Sequence, residues 1–114
     1  MKENRKYIRL QAAIGLTYKK ISGSAKHRPK PSIIRNISGG GLSFVAKEMF
    51  RAGDLLEIDV QIPHLSEPVR TVAEVVWVTS HPDKQSHAVG VRFRDVEPGD
   101  LRAILEYVHT IGIG

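Results

Sequence analysis

Two short stretches of this chain carry side chains suited to gripping an anion that also presents hydrogen-bonding edges. In the first, Arg5 and Arg9 stand four residues apart in Arg5-Lys6-Tyr7-Ile8-Arg9. Each carries a permanent charge on a planar fork that pairs bidentately with phosphate or with the acceptor edge of guanine. One good contact of that kind is worth about 1 to 3 kcal/mol of base discrimination, and a guanidinium stacked on a base adds to it. The second stretch is Asn36-Ile37-Ser38-Gly39-Gly40-Gly41-Leu42-Ser43-Phe44. Asn36 and Ser38 lie two residues apart, so an extended backbone points both side chains to one face, and the glycines let the chain turn and a ligand approach the backbone. Asn36 offers a donor and an acceptor to a guanine edge, the Ser38 hydroxyl suits a phosphate oxygen, and Gly41 keeps the turn open. A plain hairpin turn explains the glycines but not the Asn/Ser pair. Taken singly, each residue also has an ordinary explanation: arginines on an arm are solvated, and Asn, Ser and Gly favour turns.

Catalytic chemistry finds no comparable constellation. The five histidines, His27, His64, His81, His87 and His109, show no paired-ligand spacing, and the chain has no cysteine, so neither a metal site nor a disulfide framework is expected. Asp54, Glu57 and Asp59 read as turn and solvent-face charges, because the strand that carries them alternates cleanly. Ser38 lacks the GxSxG pattern of a nucleophile elbow and has no designated base. Gly39 to Gly41 is not followed by the lysine and hydroxyl residue of a phosphate loop, nor is it a GxGxxG turn into a helix. The chain therefore reads as a binding protein with no catalytic residue, no metal and no cofactor.

The formal charge of +5 and the pI near 9.7 point to an anionic partner. The basic residues cluster in Arg5 to Arg9, in Lys19 to Arg35, and at Arg92 and Arg94. A nucleotide, a nucleic acid, an acidic lipid surface and an acidic protein would all satisfy that charge. No apolar run is long enough to span a bilayer and the basic N-terminus leads into no signal core, so a cytoplasmic protein without membrane insertion is expected.

These candidates need a scaffold, and the length suits one domain. Residues 1–9 read as a flexible basic arm tied down at its C-terminal end. Residues 10–97 read as barrel strands. The first, from Leu10 to about Lys20, places Ala12, Ile14, Leu16 and Tyr18 on one face. Ser22 to Ser32, with Pro29 and Pro31, reads as a basic loop. Ser32 to Ile37 and Leu42 to Ala46 flank the glycine turn as a hairpin. Leu56, Ile58, Val60 and Ile62 alternate with Glu57, Asp59 and Gln61. Val69 to Thr79 follows as a β-branched strand whose Trp77 reads as core rather than as a stacking platform. Ala88 to Phe93 is the sixth strand, with Arg92 facing outward. Residues 98–111 read as an amphipathic helix with Leu101, Ile104, Leu105 and Val108 on one side. An all-β chain with one C-terminal helix, six strands in so short a length, predicts a small six-stranded antiparallel β-barrel with the helix over one opening.

The order and separation of the two stretches closely resemble the RxxxR and [D/N]xSxxG signatures of the PilZ family. Val89-Gly90-Val91-Arg92-Phe93 and the terminal helix are also similar to it, so the resemblance spans essentially the whole chain. It implies a bacterial, cytoplasmic receptor domain for the second messenger cyclic di-GMP, a ligand with guanines and phosphates, acting in motility or biofilm regulation. Carried over by position, Arg5 and Arg9 would hold guanine edges and phosphate, Asn36 would hydrogen-bond a guanine, and Ser38 with Gly41 would shape the turn around the ligand. Asn36 stands where the family more often has an acid, exchanging a charged acceptor for a neutral amide. Ligand binding would fold the arm onto the barrel and change a surface read by a protein partner of unknown identity. Two other readings stay open: a PilZ-fold adaptor that binds protein without nucleotide, and a basic barrel for single-stranded nucleic acid. The second is disfavoured by the few aromatic residues, most of them at core-like positions.

Overall fold

A computed structural model of the chain describes residues 8–9, 14–23, 26–37, 40–62, 65–80 and 85–112, with side chains described between Ile14 and Glu106. The elements are β1 (Ile8–Arg9), β2 (Gly15–Lys20), β3 (Lys30–Ile37), β4 (Gly41–Ala46), β5 (Leu55–Val60), β6 (Val69–Ser80), β7 (His87–Asp95) and α1 (Pro98–Gly112). All pairings are antiparallel, in the order β3-β2-β5-β6-β7-β4, and β4 pairs back onto β3. Strands β2 to β7 thus close the expected six-stranded barrel, and closure removes most of the exposed sheet edge that a small open sheet would present.

Alternation builds the interior. Leu56, Ile58 and Val60 of β5 are fully buried, while Glu57 and Asp59 face out toward Lys19 of β2 and Arg70 of β6. Arg70 grips Asp59 with Nε at 2.9 Å and Nη2 at 3.1 Å, a fork on the outer face. Tyr18 of β2 packs its ring against Phe44 and, edge-on, against Phe50. The turn before β5 has Gly53 at φ 99°, with the Arg51 N–H donating to Asp54 Oδ2 at 2.9 Å. α1 opens on Pro98, carries Asp100 in its first turn where the helix dipole favours an acid, and inserts the fully buried Ile104 into the core. Leu101 and Leu105 are half-buried beside it.

One expected boundary falls largely outside the described residues and another is corrected. The first long strand starts at Gly15 in the described residues, while 10–13 lie outside them. The basic loop ends earlier than its prolines suggested: β3 begins at Lys30 and Pro31 lies inside it, opposite Thr17. The register explains the tolerance. The Ile34 N–H donates to the Ile14 carbonyl, so the even residues of β3 bond to β2 and the Pro31 nitrogen points to the other edge, where it interrupts no ladder.

Candidate ligand-binding site

Asn36 lies near the end of β3, where alternation from the buried Ile34 would turn it into the core. A bulge prevents this. β3 and β4 pair as Ile34 opposite Phe44 and then Asn36 opposite Ser43, leaving Arg35 as an extra residue. Ile34 and Ile37 are therefore both buried, Arg35 is exposed and Asn36 is half-buried on the outer side. There the Asn36 Nδ2 donates to Ser43 Oγ at 3.2 Å.

The same device acts on β6. Val75 stands opposite Val91 and Trp77 opposite Gly90, so Val76 is the extra residue. Val75 is buried, Val78 packs on the core, and Trp77 is 44% exposed. The expectation of a core tryptophan is overturned: the bulge turns it to the outer face. Gly90 accommodates it, since a Cβ there would lie 2.1 Å from Trp77 Cε2 and 2.2 Å from Nε1. The indole rests directly on the β7 backbone.

Register thus sets Asn36, Ser43, Gly90 and Trp77 in one row across four strands. A recess of about 50 Å³ opens among Asn36, Leu42, Ser43, Trp77 and Val91. One row further on, past the inward-facing Leu42, Val91 and Val75, Gly41 faces Arg92, which faces Glu74. The Arg92 Nη2 donates to Glu74 Oε1 at 3.1 Å and the Arg94 Nη1 donates to the same oxygen at 2.5 Å. Hydrogen bonds from Arg94 and then Arg92 hold the Glu74 carboxyl below the usual carboxylate range, so the acid remains charged and anchors both guanidinium groups. Gly41 has a second reason to be glycine besides the turn: an added Cβ would lie 2.0 Å from the Val91 carbonyl oxygen and 2.9 Å from the Arg92 Cα.

The arm reaches this row through β1, whose Ile8 pairs with Ile37 and whose Arg9 pairs with Asn36. The backbone of the second arginine of the first motif therefore stands opposite the first residue of the second. β1 uses the same edge of β3 as β2, with three more residues between Arg9 and Ile14 than β3 has between Asn36 and Ile34. Arg9 is described in its backbone alone, and Arg5 and Ser38 lie outside the described residues. Ser43 and Glu74 were not singled out from the sequence, and Gly90 and Arg92 stood there within the Val89–Phe93 stretch, not as site residues. Their signal was present: Ser43 is the polar outward position between Leu42 and Phe44, and a glycine between Val89 and Val91 marks close approach.

Among the described residues no group of three potential ligands could hold a metal ion, and no helix is long and apolar enough to cross a membrane. A family model for the PilZ domain matches residues 3–110. The chain belongs to the PilZ family. PilZ domains are generally non-catalytic receptor domains, and the family often binds cyclic di-GMP. Solved structures similar to this PilZ domain include the Bacillus subtilis inhibitor of motility MotI/DgrA, with a TM-score of 0.72 and 20% identity over 96% of this chain and 51% of that one. The complex of K. pneumonia MrkH with c-di-GMP has a TM-score of 0.69 and 15% identity, over 96% of this chain and 52% of that one. The PilZ domain of YcgR from Escherichia coli, solved with c-di-GMP, has a TM-score of 0.67 and 13% identity, over 96% and 92%. The chain spans about half the length of MotI/DgrA and of MrkH. At these identities the likeness is one of fold. No curated protein matches the chain.

Proposed function

We propose that this PilZ domain is a receptor for cyclic di-GMP, with the ligand clamped between the arginines of the arm and the outer-face row that begins at Asn36. The observation that carries this reading is the pairing of Arg9 with Asn36, which joins the two motifs across one strand pair although 26 residues separate them. Arg5 and Arg9 supply bidentate donors to guanine edges and phosphates. Asn36 offers its amide to a guanine, Ser38 its hydroxyl to a phosphate oxygen, and Gly41 leaves the approach open. The flat, half-exposed Trp77 gives a purine a stacking surface at the end of the same row. Folding of the arm over the ligand changes the surface of the barrel, and a protein partner reads that change.

Isothermal calorimetry of cyclic di-GMP with the 114-residue chain tests the reading. Binding in the micromolar range corresponds to about 8 kcal/mol, which a few charge-assisted contacts and stacking supply. Arg9→Ala, Asn36→Ala and Ser38→Ala should each weaken it by about tenfold or more, with folding verified by circular dichroism. An absence of heat with folded protein leaves the adaptor reading in its place, and unchanged affinity in all three variants removes the site from this row.

A further inference from the structure

A second surface lies on the other half of the same β3–β4 hairpin. The two strands stop pairing at Ile34 opposite Phe44, after which β3 follows β2 and β4 follows β7. The seam that opens is bridged by the Ser32 hydroxyl, which donates to the Val45 carbonyl at 2.6 Å. Farther along, the Glu48 carboxylate accepts from Tyr18 Oη at 2.5 Å and lies 2.5 Å from Lys30 Nζ. Over this seam runs a groove of about 690 Å³ whose walls are mostly apolar. Its exposed centre is Ile33, 53% accessible, beside the half-buried Val45.

The groove is apolar in the middle and cationic at both ends. Arg35, the bulge residue, stands at one end and Lys47 at the other, and among the described residues neither has a carboxylate partner. Among the described residues the one acid lining the groove, Glu48, is already matched by Lys30. A second copy of this chain seated here would set cations against cations. An occupant with acidic ends and an apolar centre would match both features. Four residues of extended chain separate the level of Arg35 from that of Pro31, roughly 13 Å at about 3.3 Å per residue. On an extended peptide, residues two positions either side of a central side chain share its face and span the same length.

We propose that this groove docks an extended segment of a partner protein, with an apolar residue on Ile33 and Val45 and a carboxylate two positions away on each side, against Arg35 and Lys47. The nucleotide site and this groove sit on the two halves of one hairpin, joined at the Arg35 bulge. The groove's contacts do not depend on the nucleotide.

The test is an NMR titration of the isotopically labelled chain with a blocked pentapeptide of the form Glu-Ser-Leu-Ser-Glu. Saturable shifts are expected at the amides of Ile33, Val45 and Lys47, with a dissociation constant in the millimolar range or below. Lys47→Glu should weaken binding by about tenfold, and a peptide with lysines in place of the glutamates should not saturate. Lys47 is exposed, so the variant should fold and keep its affinity for cyclic di-GMP, which separates failure here from failure of the nucleotide reading. The proposal is overturned by no saturable shift at about 10 mM peptide, a level that detects interactions of a few kcal/mol. It is equally overturned by shifts confined to the Trp77 face, by equal binding of the lysine peptide, by an oligonucleotide that occupies the groove when the acidic peptide does not, or by self-association through these residues.

Discussion

Gly90 and Gly41 are both buried glycines at strand contacts, yet what a side chain would meet differs between them. At Gly90 the obstacle is the indole of Trp77, a side chain that can swing away toward solvent. At Gly41 it is the carbonyl and Cα of β7, which can move only by breaking the β4–β7 ladder. Gly41→Ala should therefore be the more damaging, by about 3 kcal/mol, and Gly90→Ala should cost about 1 kcal/mol while displacing the ring. Urea unfolding followed by circular dichroism measures the difference. Tryptophan fluorescence should shift to the red in folded Gly90→Ala, because Trp77 is the only tryptophan and loses the backbone surface beneath it. Equal destabilisation by the two substitutions would contradict this account.

Elements here are positioned by their irregularities as much as by their regular parts. Each bulge, at Arg35 in β3 and at Val76 in β6, moves one residue from the inward to the outward phase, and together they bring Asn36 and Trp77 to the same face. The β3–β4 seam is held by a different kind of contact, the Tyr18–Glu48–Lys30 cluster. Burial alone would raise the Glu48 carboxyl, but hydrogen bonds from Lys30 and Tyr18 outweigh it and hold the group below its ordinary range. Burial, followed by the neighbouring Glu48, pushes the Tyr18 phenol upward, so it remains a donor through neutral pH. A carboxyl depressed in the folded state stabilises fully above its unfolded value and loses that contribution as pH falls through the folded one. Glu48→Gln should thus lower stability by about 1 kcal/mol at neutral pH. The gap from wild type should close as acidification passes below the ordinary carboxylate range and the native carboxyl also protonates. Melting temperatures of the two proteins from about pH 3 to pH 7 measure it, and a gap that persists unchanged in acid would rule out the charged cluster as its source.

At the scale of the whole molecule, binding and folding are linked. Under the proposed receptor function, cyclic di-GMP present at 100 times its dissociation constant should stabilise the domain by about 2.7 kcal/mol. For a chain of this size that raises the melting temperature by roughly 10 °C. Arg9→Ala should abolish most of the shift while leaving the unliganded melting temperature close to that of wild type. A thermal scan with and without ligand shows whether it does. Much of this architecture is written in local patterns. Leu56, Ile58 and Val60 alternate because one face of β5 is wet, Pro98 and the spacing around Ile104 specify a helix, and the two motifs stand in their family order. Such features are legible because they depend on neighbours in sequence. The β2–β5 and β4–β7 pairings that complete the ring, the pairing of Arg9 with Asn36, and the outward turn of Trp77 were not, because each depends on register between distant strands. A bulge adds a single residue to one strand and leaves no distinctive residue type, yet it reverses the facing of everything beyond it. The amino-acid order by itself determined the strands, the helix and the residues able to hold an anion; only tertiary pairing decided which of them share a face, since facing in a sheet has a period of two and one unpaired residue inverts it.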